Sequence, residues 1–178
     1  MGDSKVNVTT TNTAVADLET AGRRPWLSWT SGVAGETVAV AAANISTILA
    51  GFPDGSLCTQ GIQVITELGI NDVDPLPDQA TWIANFETIL DAVHAKWPSA
   101  KMYLMRLWKR NELANCNTLD GWIETVVAAR SAFTFDGPDE RVWLENGDNG
   151  VTYTSDGGHY NTAGSIQAGH VWASLLFP

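Results

Sequence analysis

What most constrains the fold of this chain is a regular alternation between short apolar runs and longer stretches whose apolar residues recur every three to four positions. Leu27 to Thr30, Ile62 to Leu68, Lys101 to Leu107 and Arg141 to Leu144 read as strands. The run from Ile62 is mostly apolar, as expected of a strand covered on both faces. Between the strands lie helical periods over residues 13 to 20, Glu36 to Leu49, Pro77 to Lys96, Thr118 to Phe133 and Ala163 to Leu176. Val38, Ala41, Ile45 and Leu49 form one stripe, and Trp82, Phe86, Ile89, Leu90 and Val93 form another that stops before Pro98. Trp122, Ile123 and Val126 face inward on the next helix. Such alternation predicts an α/β fold, a mostly parallel sheet between two layers of helices.

One core is enough for it. The chain has 178 residues, 44% of them apolar and only 17% charged, and no repeat, low-complexity tract or linker divides it, so residues 1 to 178 read as a single domain. Its apolar stretches are interrupted well before the length of a membrane helix. A net charge of −10, with no run of basic residues, argues against a nucleic-acid partner. Abundant Thr, Asn and Trp with little Lys lean toward an exported or surface-acting protein. Three histidines and two cysteines show no metal-ligand spacing, and no phosphate-cradling glycine pattern is present, so neither a metal nor a nucleotide cofactor is expected. Cys58 precedes the strand from Ile62 and Cys116 follows the strand from Lys101, at opposite ends of the sheet, so a bridge between them is not expected.

The chemistry-bearing residues sit after strands, where open α/β sheets build their sites. Ser4 lies in Gly2-Asp3-Ser4 and would need a base to become a nucleophile; taken alone it fits a helix N-cap equally well. The candidate base is His159, three residues after Asp156 in a Gly-rich loop, a spacing that lets a carboxylate reach the imidazole and hold its tautomer. His94 and His170 fall within helical stretches and read as ordinary surface or boundary residues. Gly35 opens a helix and Asn71-Asp72 closes an apolar run, places that a plain turn or a loop-capping amide would also fill. Of the eight tryptophans, Trp82, Trp122 and Trp172 belong to helical stripes and are assigned to the core. Trp108, beside Lys109 and Arg110 after a strand, and Trp29 are candidates for substrate contact.

Taken jointly, Gly2-Asp3-Ser4, Ser31-Gly32-Val33-Ala34-Gly35, Gly69-Ile70-Asn71-Asp72 and Asp156-Gly157-Gly158-His159 resemble the four blocks of the SGNH (GDSL-type) ester hydrolases, in their order and over nearly the whole chain. The resemblance implies the flavodoxin-like three-layer fold of that family and a serine esterase without a cofactor. Ser4 would be the nucleophile, His159 the base and Asp156 its orienting acid. The backbone N–H groups of Ser4 and Gly35 and the Asn71 amide would form the oxyanion hole, and Asp72 would order its loop. The family's nucleophile turn follows an apolar strand lying inside the sheet. No such strand precedes Gly2, so an apolar stretch of about five to eight residues before Met1, or another segment in that slot, is expected. Family substrates range from acetylated saccharides to lysophospholipids and thioesters. Without an obvious lid insertion, short acyl esters, such as O-acetyl groups on a saccharide, fit best. Lys5-Val6-Asn7 departs from the apolar or small residues usual after the serine, which keeps a catalytically idle binding domain as the alternative.

Overall fold

The computed structural model describes residues 8–21, 35–52, 61–145 and 150–176. The strand expected over Leu27 to Thr30 and any strand ahead of Gly2 fall outside these residues. In chain order the elements are helix α1 (Val8–Thr20), helix α2 (Val38–Ala50), strand β1 (Gln63–Thr66), a 3-10 turn (Ile70–Asp72), helix α3 (Gln79–Lys96), strand β2 (Lys101–Arg106), helix α4 (Leu113–Ala129), strand β3 (Thr134–Asp139), the single turn α5 (Arg141–Leu144) and helix α6 (Thr162–Leu176).

β1, β2 and β3 form a parallel sheet in that order, with Val64 opposite Met102 and Met102 opposite Thr134. Side chains alternate across it. Val64, Met102 and Leu104 pack into the larger core with α2, α3 and α4, whereas Ile65 and Met105 meet Ala14 and Leu18 of α1 and Trp172 and Ala173 of α6. The fold is therefore an α/β sandwich with helices on both faces of a parallel sheet.

Local chemistry sets the helix boundaries. Thr37 caps α2, and Asp78 caps α3 by accepting the Thr81 N–H at 2.9 Å. α3 ends at Lys96, with Trp97 as its cap, because Pro98 disfavours a helical conformation at the residue before it. The stripe Phe86, Ile89, Leu90 and Val93 is buried throughout, and each such side chain contributes about 1.5–3 kcal/mol by leaving water. Trp82, Trp122 and Trp172 are buried as their helical positions predict.

Three expectations need correction. α1 begins at Val8, not at residue 13. α4 begins at Leu113, not Thr118, because Cys116 is fully buried and the Asn115 amide donates to the Val73 carbonyl at 2.8 Å; packing outweighs the weak helix propensity of two asparagines. The strand expected over Arg141 to Leu144 is the helical turn α5, and the strand is Thr134–Asp139. Its Asp-Gly-Pro-Asp tail carries no strand signal. Pro138 is tolerated because β3 lies at the edge of the described sheet. Gly137 is required because a Cβ there would stand 2.6 Å from the Leu104 carbonyl, beside a register shift in β2.

Where β2 ends, two buried carboxylates take over from the ladder. Asp120 accepts the Leu107 N–H at 2.9 Å and Glu140 accepts the Trp108 N–H at 2.8 Å. A buried N–H left without an acceptor costs about 1–3 kcal/mol, so these bonds fix the course of the loop that leaves the sheet.

Candidate active site

Asp156 and His159 meet in a closed loop between β3 and α6. Thr154 and Tyr160 pair as an antiparallel bridge at its base, and the Ser155 N–H donates to the His159 carbonyl at 2.9 Å. Inside the loop, Asp156 Oδ1 accepts the N–H groups of Gly158 at 2.9 Å and His159 at 2.8 Å, while Oδ2 lies 2.7 Å from His159 Nδ1. The backbone N–H of His159, then its ring, hold the Asp156 carboxyl well below the usual carboxylate range. An ionised carboxylate only accepts, so in the neutral ring Nδ1 carries the hydrogen and Nε2 presents a lone pair. This is the orientation a serine base needs. Both side chains are about half exposed, so the pair is open to solvent.

A second cluster joins the other two described blocks. Gly69 has φ +114°, and a Cβ there would stand 3.0 Å from Leu107 Cδ1, so only glycine turns the chain from β1 into the Ile70–Asp72 turn. Asn71 Nδ2 then donates to the Glu36 carbonyl at 3.0 Å, and Asp72 Oδ2 accepts the Val38 N–H at 3.0 Å at the start of α2. Asp72 is buried; desolvation raises its carboxyl pKa, and the Val38 N–H opposes that rise. Asp72 thus does the loop-ordering expected of it. A side-chain amide has two hydrogens, so the bond to Glu36 fixes its plane and uses one of them. Gly35 is exposed with φ +76° and nothing within 4 Å of a notional Cβ, an open backbone position beside this cluster in the chain. Ser4 and Trp29 lie outside the described residues, as does Cys58.

Both clusters lie within the span that a family model covers. The model of the GDSL-like lipase/acylhydrolase family matches residues 1–165. The chain belongs to this family. It is an SGNH-type ester hydrolase, and solved structures carry the same fold. A lipase/acylhydrolase from Enterococcus faecalis is 17% identical, with a TM-score of 0.74 over 98% of this chain and 92% of that one. An acetyl xylan esterase is 16% identical, with a TM-score of 0.74 over 99% of this chain and 97% of that one. A carbohydrate esterase of family 3 from Talaromyces cellulolyticus is 18% identical, with a TM-score of 0.71 over 99% of this chain and 93% of that one. No curated protein matches the chain.

Within this esterase the expected substrate role of Trp108 must be corrected. Trp108 is fully buried with Trp143, Leu144 and Ala168, and a Cβ on Gly150 would stand 2.3 Å from its ring. Its neighbour braces the His159 loop instead: the Arg110 N–H donates to the Gly157 carbonyl at 2.8 Å, and the guanidinium reaches Thr154 Oγ1 at 3.3 Å. The sequence marks Arg110 only as a neighbour of Trp108 after a strand and does not mark Thr154 or Glu140, because no local pattern shows a contact made more than thirty residues away. It also gave His170 no acidic partner, whereas His170 Nδ1 lies 2.5 Å from Asp17 Oδ2, tying α6 to α1. His94 stacks on Phe133 with centroids 4.0 Å apart, a packing role. Among the described residues no group of three or more His, Cys, Asp or Glu side chains is placed to hold a metal ion, and no helix is long and apolar enough to cross a membrane.

Proposed function

We propose that this esterase cleaves short acyl esters, with O-acetyl groups on a saccharide as the favoured class, through a covalent acyl-enzyme formed on Ser4. The single observation that carries the mechanism is the 2.7 Å contact between Asp156 Oδ2 and His159 Nδ1, which leaves Nε2 as the base. Ser4 Oγ bonds to the ester carbonyl carbon as its proton passes to Nε2, and the carbonyl oxygen becomes an oxyanion. The Asn71 amide and the backbone N–H groups of Ser4 and Gly35 stabilise that charge. Collapse breaks the bond to the alcohol, which leaves with the proton from Nε2. Water then repeats the sequence on the acyl-enzyme, releasing the carboxylic acid and restoring Ser4. Asp156 stays ionised throughout, orienting the ring and stabilising the imidazolium.

The acetyl preference is supported by the acetyl xylan esterase among the solved structures that share this fold. A fluorophosphonate probe should label one site per chain, and peptide mapping should place it at Ser4. Acyl chains from acetyl to dodecanoyl on a common alcohol, beside acetylated xylan, test the substrate. Faster turnover of long chains would replace this reading by a lipid or thioester one, and no labelling at all would sink the serine mechanism.

A further inference from the structure

Groups outside the four blocks also hold the loop that carries His159. Tyr160 follows it directly, and the Tyr160 hydroxyl donates to Glu140 Oε1 in a short contact. Glu140 is fully buried, and its other oxygen accepts the Trp108 N–H at 2.8 Å, where the chain leaves β2. The Tyr160 ring also packs against Trp143 of α5, with centroids 5.2 Å apart. A continuous set of bonded contacts therefore runs from the end of β2 through the Glu140 carboxylate to the residue beside the imidazole.

We infer that Tyr160 and Glu140 are positioning residues for His159, a phenol-carboxylate brace that anchors the otherwise half-exposed base loop to the rigid sheet. The inference rests on the reading of His159 as the base. Its physical reason is that Asp156 and His159 lie in the same loop, so their contact orients the ring within the loop; the Arg110 bond to the Gly157 carbonyl ties the loop down before His159, and Tyr160 ties it down after. Nothing in that pair fixes the loop relative to a nucleophile on a separate segment, and a misplacement of about 1 Å costs on the order of 100-fold in rate. Glu140 supplies the fixed point because it is held at both oxygens. Burial, with the Glu140 and Glu67 carboxylates beside it, pushes the phenol well above the usual tyrosine range, so the hydroxyl remains a donor wherever the enzyme works.

The test is kinetic. Tyr160→Phe deletes one oxygen and keeps the ring packed. It should lower kcat on a small activated acetate by about 10- to 100-fold while KM stays within about twofold, and slow fluorophosphonate labelling to a similar degree. The final labelling stoichiometry should still reach one per chain. A merely structural role would instead reduce the labelled fraction and leave the rate per labelled site unchanged. Glu140→Gln should act on the same bond, so the double variant should be no slower than the slower single one. If Glu140→Gln fails to fold, Tyr160→Phe decides alone. Wild-type kcat and labelling rate in Tyr160→Phe overturn the brace while leaving the serine mechanism standing; absence of labelling in the wild-type chain overturns both.

Discussion

The Asn71 side-chain amide donates to the Glu36 carbonyl at 3.0 Å, bonding the turn after β1 to the segment just after Gly35. One hydrogen of the amide is thereby committed to orientation, and the amide carries a second. If that second hydrogen serves the oxyanion, Asn71→Ala should lower kcat by roughly 100- to 1000-fold with little change in KM. Loss of the Glu36 bond should also cost about 1 kcal/mol of stability, read from urea unfolding. A change confined to KM would make Asn71 a substrate contact instead.

Asp156→Asn keeps the shape of the loop but turns an acceptor toward a donor. An amide nitrogen at the Oδ2 position would favour the imidazole tautomer with its hydrogen on Nε2, which cannot take a proton from serine. Hydrolysis should fall by on the order of 1,000- to 10,000-fold while the melting temperature moves little, since the pair is half exposed. Ser4→Ala and His159→Ala should be as inactive as the double variant, because members of such a set act as a unit. Retention of most activity by Asp156→Asn would show that the ring is oriented by other groups.

Helices α2 and α3 were legible because their buried stripes, Val38 to Leu49 and Trp82 to Val93, repeat the helical period without interruption. β3 was not, because its strand conformation is imposed by pairing with β2 on residues such as Gly137 and Pro138 that disfavour it. The nearby run Arg141 to Leu144 carries a stronger local strand signal and is helical. The same division runs through the site. Asp156 and His159 stand three residues apart in one loop, so their contact is written in a short motif. The Glu140, Arg110 and Asp17 contacts join residues from separate elements, which a single sequence cannot bring together. Trp108 was misread for a related reason: its position after a strand on the catalytic side says nothing about whether α5 and α6 cover it.

Asp120 makes stability depend on pH. Burial pushes its carboxyl up from 3.8 to about 6 in the folded chain, against the pull of the Leu107 N–H and Arg141. Between those values the folded state keeps a proton that the unfolded state has lost. This contribution is complete below about pH 3.8 and disappears as the pH rises through about 6, amounting to about 3 kcal/mol across the interval. Asp120→Asn has no such titration. Its stability relative to the wild type should therefore rise by about that amount between about pH 4 and pH 6.5, measured by urea unfolding at each pH. A wild-type minus variant difference that stays constant with pH would mean that Asp120 is ionised in the fold throughout.

Gly169 and Gly121 should respond to alanine with opposite signs. Both are helical, and alanine is the better helix former by about 1 kcal/mol, so an unobstructed replacement stabilises. Gly121 on α4 has nothing within 4 Å of a notional Cβ, and Gly121→Ala should raise stability by about 0.5–1 kcal/mol. On α6, a Cβ at Gly169 would stand 2.6 Å from the Thr10 carbonyl oxygen and 2.6 Å from Thr13 Cβ. Neither is the end of a flexible side chain, so α1 and α6 would have to separate. That movement would also pull on the Asp17–His170 contact one residue along. The cost of such overpacking, about 1–3 kcal/mol, exceeds the gain in helix propensity. Gly169→Ala should therefore melt lower than wild type and Gly121→Ala higher, by a few degrees each. Because α1 follows Ser4 in the chain and α6 follows His159, Gly169→Ala should also lose esterase rate below its melting range, whereas Gly121→Ala should not. Equal stabilisation by the two substitutions would show that the helices cross with more room than the Gly169 contact allows.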